Sequence, residues 1–222
     1  MRQTAEKILG RKLMPEEGIA ESQLRDAEQR LDIQLPVPLR DFYQHVGNLP
    51  LFTSGFQQFA APHELYMSGR KLVFLDENQG VVSWSIDLDN QSIYQSGNVE
   101  GEPEWHSEEL SAEDFIRLIL YYQCVMADSS IQAATPGGFE FGASLIHEEL
   151  EINEAAQQFF ASLPNNWEKV ADHNHLLIFW QPSQLVSYFT DDDGEAAELI
   201  LYTTQHKNLL DEMINRYGFD EV

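Results

Sequence analysis

Histidine and acidic side chains fall in short groups whose spacing resembles that of metal ligands. In His173-x-His175 the two imidazoles would share one face of a strand, because alternate strand residues point to the same side. A zinc site needs three or four ligands, and the sequence indicates no third. Two histidines that lead from a loop into a strand account for the pattern better. An enzyme that uses His173 and His175 is therefore kept only as a third hypothesis.

The acidic groups give no stronger metal signal. Asp191-Asp192-Asp193-Gly194-Glu195 could hold a hard cation, but it lacks the spaced ligands and terminal Glu of a twelve-residue calcium loop. It also lies where a hairpin turn is expected. Asp87-x-Asp89 is too short to be specific, and His147-Glu148-Glu149 has no second His four residues on. We therefore expect no metal and no cofactor.

Nucleophilic chemistry is equally poorly supported. The single cysteine, Cys124, excludes an intramolecular disulfide and follows the apolar run 118–122, which favours a buried thiol. The sequence contains no glycine-rich phosphate loop and no nucleophile elbow. Carboxylates are abundant throughout, so their abundance cannot identify an acid–base pair. We expect no catalytic residues and interpret the chain as a binding protein.

The charge of the chain is the clearest functional signal. It has 13 Lys+Arg against 37 Asp+Glu, a net charge of −24 in 222 residues. Residues 1–130 contribute 10 basic and 21 acidic groups, and residues 131–222 contribute 3 and 16. Such a field repels phosphate backbones, which argues against nucleic acid, and attracts basic proteins. The alternative is that acidity serves solubility alone.

Hydrophobic periodicity predicts the elements that would position these residues. Apolar residues spaced three and four apart indicate helices, and alternating or short apolar runs indicate strands. Residues 49–65 are predicted to be loop with short extended pieces, and residues 97–109 to be a polar acidic loop. The predicted helices cover 21–31, 39–46, 111–127, 153–163 and 206–217, and the predicted strands cover 72–76, 81–86, 92–95, 167–171, 175–181, 184–190 and 198–203.

The segment Ala134-Thr135-Pro136-Gly137-Gly138 is the best candidate boundary, because Pro and paired Gly break helices and strands. It divides the chain into residues 1–133 and 134–222. The hairpin at 72–89 has a faint parallel at 176–193, an offset of 104 residues. Any two amphipathic hairpins could match this well. Residues 134–222 are therefore either an unrelated α+β extension or a degenerate second copy packed on the first.

Three blocks of residues follow one another within the N-terminal range 1–130. They are Glu28 and Leu31 with Leu35-Pro36, Leu39 to Tyr43 and Gly47-Asn48; then Leu72-Val73-Phe74, Glu77-Asn78-Gln79-Gly80 and Trp84; then Ser111, Phe115, Ile116 and Leu118. Together they resemble the SUKH superfamily, which includes a yeast regulator of cell-wall synthesis and many bacterial immunity proteins. The sequence departs from the family in its length and in having Gly47-Asn48 where an Asn-Gly pair is common.

The resemblance implies an α+β fold, with a mixed, mostly antiparallel sheet flanked by N-terminal and C-terminal helices. It also implies a non-enzymatic module, similar to immunity proteins that neutralise toxins from neighbouring cells. Many such toxins are nucleases with basic clefts, which a chain of charge −24 could cover. The residues to which the resemblance gives a structural role are Leu35, Pro36, Phe42, Tyr43, Glu77, Asn78, Gly80 and Trp84.

The expected partner is therefore a protein, a basic toxin domain, bound through acids and aromatic anchors. The candidate contacts are Glu100, Glu102, Glu104, Trp105, Asp191, Asp192, Asp193 and Glu195. A housekeeping scaffold or regulator, for example of cell-wall assembly, is the alternative. The longest apolar runs are too short for a bilayer and the N-terminus leads into no apolar signal segment, so we expect a cytoplasmic protein without membrane contact.

Overall fold

The computed structural model describes residues 1–98, 101–146, 154–191 and 196–222. The chain forms two compact units, one of residues 1–6 and 11–123 and the other of residues 7–10 and 124–222. Both contain helices and an antiparallel sheet, which confirms the predicted α+β class. We refer to them as the first unit and the second unit.

The helices of the first unit form where the sequence carries apolar residues at helical spacing. Leu39, Phe42, Tyr43 and Val46 fall on one face of a helix, and all four are buried. Both helices predicted between residues 21 and 46 are confirmed, whereas the first helix was not predicted. The helices are α1 (Arg2–Leu9), α2 (Glu21–Leu31), α3 (Val37–Val46), α4 (Pro50–Ser54) and α5 (Ala112–Met126), with a 3₁₀ turn at Pro15–Glu17. Residues 7–9 of α1 and 124–126 of α5 are counted with the second unit.

The sheet of the first unit is built around two buried central strands. It contains β1 (Gln58–Phe59), β2 (Tyr66–Ser68), β3 (Lys71–Asp76), β4 (Val82–Asp87), β5 (Ser92–Gly97) and β6 (His106–Ser111). The order is β1-β3-β4-β5-β6, and β2 also pairs with β3. The prediction of a loop over 97–109 is wrong for β6. This edge strand has acidic residues among its mostly exposed side chains, so no apolar alternation indicates it.

A chain of aromatic rings forms the core of the first unit. Phe42 stacks on Phe59 at 4.1 Å between ring centroids, and Phe59 is 5.9 Å from Phe74. Phe115 of α5 lies 6.3 Å from Phe74 and 6.0 Å from the Trp84 ring. Ring pairs at these distances add to the stabilisation from apolar burial. The rings thus connect the N-terminal helices, the sheet and α5.

The second unit places two helices on one face of its sheet. Its elements are α6 (Ser129–Ala134), β7 (Phe141–Ile146), α7 (Glu154–Asn166), β8 (Glu168–His173), β9 (Leu176–Gln181), β10 (Gln184–Thr190), β11 (Ala196–Thr204), α8 (Lys207–Tyr217) and β12 (Asp220–Glu221). The strand order is β12-β7-β11-β10-β9-β8. Leu163 of α7 and Leu210 of α8 pack against Val186 and Tyr202 of the sheet. Helix α7 was predicted to end before Pro164 but continues to Asn166.

The division between the units lies at 123/124, earlier in the chain than the boundary predicted from Pro136 and the paired glycines. Gln132 provides the physical reason. Its buried side chain donates to the Cys124 carbonyl oxygen at 2.6 Å and accepts from the Phe139 N–H at 2.8 Å. These bonds tie the segment 124–139 into one piece.

The two sheets share a run of four strands. In each, four strands consecutive in sequence pair antiparallel, β2 to β5 in the first unit and β8 to β11 in the second. When the residue numbers of β2 to β5 are shifted by the hairpin offset of 104 residues, each of these strands overlaps its counterpart among β8 to β11. The turn between the middle strands differs, being longer in the first unit than in the second. That the second unit is a degenerate copy stays a prediction.

Candidate binding surfaces

The turn between β3 and β4 is shaped by Glu77. Its backbone carbonyl accepts from the Gly80 N–H at 2.7 Å, and its Oε2 accepts from the Gln79 N–H at 2.8 Å. Gly80 has φ +71°, a left-handed conformation that glycine adopts without steric cost. The Asn78 N–H donates to Gln57 Oε1 at 3.0 Å. The contacts of Glu77 and Gly80 thus shape the turn, and that of Asn78 ties it to Gln57.

Four further residues of the resemblance lie in packed positions near or within α3. Phe42 and Tyr43 are buried in α3, and the Tyr43 hydroxyl donates to the Ala60 carbonyl oxygen at 2.5 Å. Pro36 precedes the first turn of α3. Leu35 is buried, and its N–H donates to Glu28 Oε1 at 3.1 Å. These contacts stabilise the helical part of the first unit.

Trp84 connects β4 with the edge strand β6. The indole Nε1–H donates to Glu108 Oε1 at 2.8 Å, and Glu108 is only 6% exposed. A buried carboxylate needs such donors, and a buried indole N–H needs an acceptor. Sequence reasoning missed Glu108 because it falls among exposed acids.

The first predicted partner surface is the loop before β6, which we call the acidic loop and define as Glu102, Glu104 and Trp105. Both glutamates are exposed. Trp105 is half-buried, and its Nε1–H donates to Ser68 Oγ of β2 at 3.3 Å. The structure thus places an anchored aromatic ring beside two exposed carboxylates. Glu100 lies outside the described residues.

The second predicted surface follows β10 in the second unit. Asp191 is exposed, whereas Asp192, Asp193 and Glu195 lie outside the described residues. Two strand positions nearby expose apolar side chains, with Phe189 of β10 at 47% and Leu199 of β11 at 46%. Because Asp191 and the acidic loop belong to different units, we treat them as separate surfaces.

One edge of each sheet, β6 in the first unit and β8 in the second, is poorly suited to adding a strand from a partner. Pairing along β6 shifts register between Ser92 and Tyr94 of the neighbouring strand, and Glu109 of β6 has φ +57°. On β8 the register shifts between Lys169 and Ala171, and Lys169 is itself a charged edge residue. Bulges and edge charges disfavour pairing with another chain. At these two edges a partner is more suitably bound through side chains.

The basic side chains of this protein are already engaged. All thirteen Lys and Arg lie in the described residues, where Arg30 donates to two backbone carbonyl oxygens. Each of the other twelve forms an ion pair with a carboxylate. Twelve of the thirteen cations are therefore locally neutralised by a carboxylate. The net charge of −24 arises from acids beyond these pairs.

Several of the ion pairs strongly favour the charged carboxylate. Arg40 donates to Glu21 at 2.6 Å and lowers the pKa of Glu21 to about 2. The hydrogen bond from Lys12 likewise lowers the pKa of Glu6 to about 2. Lys71, 2.8 Å from Asp87, lowers the pKa of that carboxyl. All three pairs lie within the first unit and tie its helices and strands.

The residues considered for catalysis occupy structural positions. Cys124 is fully buried, and burial raises the pKa of its thiol, which disfavours the nucleophilic thiolate. Asn174 and His175 form the two-residue turn between β8 and β9, with φ +46° and +66°. Within the described ranges, no three His, Cys, Asp or Glu side chains cluster as metal ligands do.

A cleft of about 470 Å³ opens in the first unit, and sequence reasoning did not anticipate it. One wall is α2, with Gln23, Asp26, Ala27 and Arg30, and the other is the segment 60–64. Tyr43 and Phe59 also line it, and because both are buried they form its base. We call it the α2 cleft. Its two walls are far apart in sequence, so no local pattern could reveal it.

Among the described residues, no helix is both long and apolar enough to cross a membrane. Comparisons with known protein families, with curated proteins and with solved structures found no match to this chain. The resemblance to the SUKH superfamily therefore remains a prediction from the sequence blocks.

Proposed function

We propose that this chain is a non-enzymatic binding module whose partner is a basic protein. The observation that carries the proposal is the uncompensated charge. Every Lys and Arg already has a partner within the chain, while exposed acids such as Glu102 and Glu104 form no ion pair among the described residues. Such a surface accelerates encounter with a basic partner and discriminates against acidic ones.

We further propose that the partner is a bacterial toxin domain and that the chain is its cytoplasmic immunity protein. The proposal rests on the resemblance of the N-terminal range 1–130 to SUKH proteins and on the charge. A toxin that acts on nucleic acid has a basic cleft, and a dense carboxylate surface could occupy it in place of phosphates. In the acidic loop, the anchored Trp105 ring supplies an apolar contact beside the exposed acids.

The test is affinity capture with the full chain from the organism that encodes it, in buffer of low ionic strength. We expect a protein with a strongly basic domain that elutes as salt rises, and rescue of growth when the chain is co-expressed with that domain. Capture of no basic protein, or a captured domain whose toxicity is unchanged by the chain, would sink the immunity proposal.

Two matched variants distinguish whether the location of the acidic residues or only their number determines binding to the partner. Glu102→Gln with Glu104→Gln removes two charges from the acidic loop. Glu140→Gln with Asp220→Asn removes two exposed charges from the second unit. We expect the first pair to slow association with the captured partner several-fold more than the second.

The alternative function is a housekeeping scaffold or regulator. It would be favoured if the captured partner were a non-toxic assembly or cell-wall protein. In that case the binding role would stand and the immunity role would fall.

A further inference from the structure

We propose that the α2 cleft receives an arginine side chain of the protein partner. Its aliphatic stem would lie on the apolar base and its guanidinium at the Asp26 carboxylate. This inference rests on the proposed function and deepens it, because it names the side chain that the partner must present.

The size and base of the α2 cleft suit an amphipathic side chain. Its volume of about 470 Å³ lies in the usual range of ligand pockets, roughly 300–1,000 Å³. Ala27, Tyr43 and Phe59 are buried beneath it, with exposed fractions of 3%, 1% and 9%. A small hydrated ion would leave this apolar base unused, whereas the methylene stem of an arginine would cover it.

The rim of the cleft carries a negative charge that is open to a partner. Asp26 is exposed on α2, and we see neither an ion pair nor a side-chain hydrogen bond for its carboxylate among the described residues. Gln23, one turn earlier, also lines the cleft and offers an amide oxygen. A guanidinium could donate to both. Its planar set of donors fits a carboxylate and a second acceptor better than the ammonium of lysine does.

The opposite wall adds a second carboxylate. Glu64 Oε2 accepts from the Ala61 N–H at 2.8 Å, which fixes its position at the segment 60–64. Burial is the main cause that raises the pKa of Tyr43, and the negative charge of Glu64 raises it further. The Glu64 carboxylate therefore contributes a negative potential at the base of the cleft. Arg30 is the single Lys or Arg among the described residues that line the cleft, and its Nη2 is turned to the Pro62 and Leu65 carbonyl oxygens.

The walls are held in place without a ligand. The Tyr43 hydroxyl donates to the Ala60 carbonyl oxygen, and Arg30 donates at 3.1 Å and 2.8 Å to the carbonyl oxygens of Pro62 and Leu65. On the other side the Ile19 N–H donates to the Tyr43 carbonyl oxygen at 2.8 Å. A cleft that is already formed costs little ordering free energy when it is filled.

The test is a titration of the ¹⁵N-labelled full chain with the peptide acetyl-Ala-Leu-Arg-Leu-Ala-amide, followed by NMR. The control peptide carries citrulline, an uncharged near-isostere, in place of arginine. We expect amide shifts at Ala27, Ala60 and Ala61, and binding of the citrulline peptide at least fivefold weaker. No shift at these residues, or equal affinity for the two peptides, would overturn the proposal.

Matched variants test whether the Asp26 carboxylate is the charge that binds the peptide's guanidinium. Asp26→Asn is expected to weaken binding of the arginine peptide by up to about fivefold, the upper end for an exposed ion pair, whereas Asp220→Asn in the second unit leaves the affinity unchanged. Ala61→Phe, which would fill the cleft, is expected to abolish the shifts. Equal effects of Asp26→Asn and Asp220→Asn would contradict the assignment.

A titration with free agmatine shows whether the cleft is a docking site for a protein side chain or a binding site for small amines. It carries the same guanidinium on a four-carbon chain that ends in an ammonium, so binding as tight as that of the peptide would contradict docking of a partner's side chain. Because the titration uses no natural partner, its failure leaves the capture experiment unaffected. Failure of capture together with a successful titration would reject the proposed function alone.

Discussion

Single buried glutamines hold the loops of this protein in place. Gln123 is fully buried, and its Oε1 accepts from the Phe56 and Gln57 N–H groups at 2.7 and 2.8 Å. Its Nε2 donates to the carbonyl oxygens of Phe52 and Gln57 at 3.2 and 2.7 Å. All its hydrogen-bonding capacity is therefore spent on the segment 52–57.

Gln123→Met should lower the free energy of unfolding by about 3 kcal/mol or more, because a side chain of similar size leaves several buried backbone groups without partners. Urea unfolding measures the change. The control Gln158→Met, at an exposed position of α7, should change it by less than about 0.5 kcal/mol. Equal stability of the two variants would contradict the role given to Gln123.

The ion pair between Arg40 and Glu21 makes a prediction about pH. The pKa of Glu21 is lowered to about 2 from its ordinary value of 4.5, so the pair contributes stability above about pH 4.5 that is lost as the pH falls through 2. Arg40→Gln should raise the pKa of Glu21 towards 4.5, as followed by ¹³C NMR of the carboxyl group.

Arg216→Gln is the matched control, because Arg216 pairs with Glu212 in the second unit. It should leave the Glu21 titration unchanged. A Glu21 pKa that stays near 2 without Arg40 would show that other groups stabilise this carboxylate.

At the level of elements, Gly80 and Gly137 both have a left-handed backbone, which an alanine would adopt only at a conformational cost. At Gly137 an added Cβ would also clash, so the two sites distinguish the conformational cost from the steric cost. Gly137 has φ +81°, and a Cβ there would lie 2.3 Å from the Leu9 carbonyl oxygen, whereas a Cβ at Gly80 would meet open space. Gly80→Ala should cost about 1–2 kcal/mol for the backbone alone. Gly137→Ala should cost clearly more, as measured by chemical unfolding. A similar cost for both would refute the close approach at Leu9.

The sequence predicted the elements that depend on local signals. The helix starting near Ser111 is confirmed, and Ser111 Oγ accepts from the Asp114 N–H at 3.1 Å as the capping pattern requires. The hairpin strands β3, β4, β9 and β10 are likewise confirmed to within a residue or two. These segments carry their own apolar pattern and turn residues.

The elements that depend on distant partners were missed. β7 pairs with β11 and β12, both far along the chain, and the edge strand β6 shows mostly polar residues to solvent. The α2 cleft likewise joins α2 to the distant segment 60–64. Of the predicted partner residues, the structure brings Glu102, Glu104 and Trp105 together through their adjacency in one loop, and it keeps Asp191 in the other unit. Side-chain pairs such as Trp84 with Glu108 arise only from strand pairing.

At the scale of the whole molecule, charge repulsion should oppose folding. With the cations already paired, the remaining carboxylates repel one another, and salt screens that repulsion. Raising NaCl at pH 7 should therefore raise Tm by several degrees. The same salt should have a smaller effect at pH 4.5, near the isoelectric point of about 4.4. A fall in Tm with salt at pH 7 would contradict this account.

The central claim is that uncompensated acids make this chain a binder of a basic protein. Its most direct test is the Kd of the full chain for the captured partner, measured against NaCl concentration by calorimetry. We predict that log Kd rises linearly with log[NaCl], and that Glu102→Gln with Glu104→Gln reduces the slope whereas Glu140→Gln with Asp220→Asn does so less. A Kd that does not change with salt would contradict the claim.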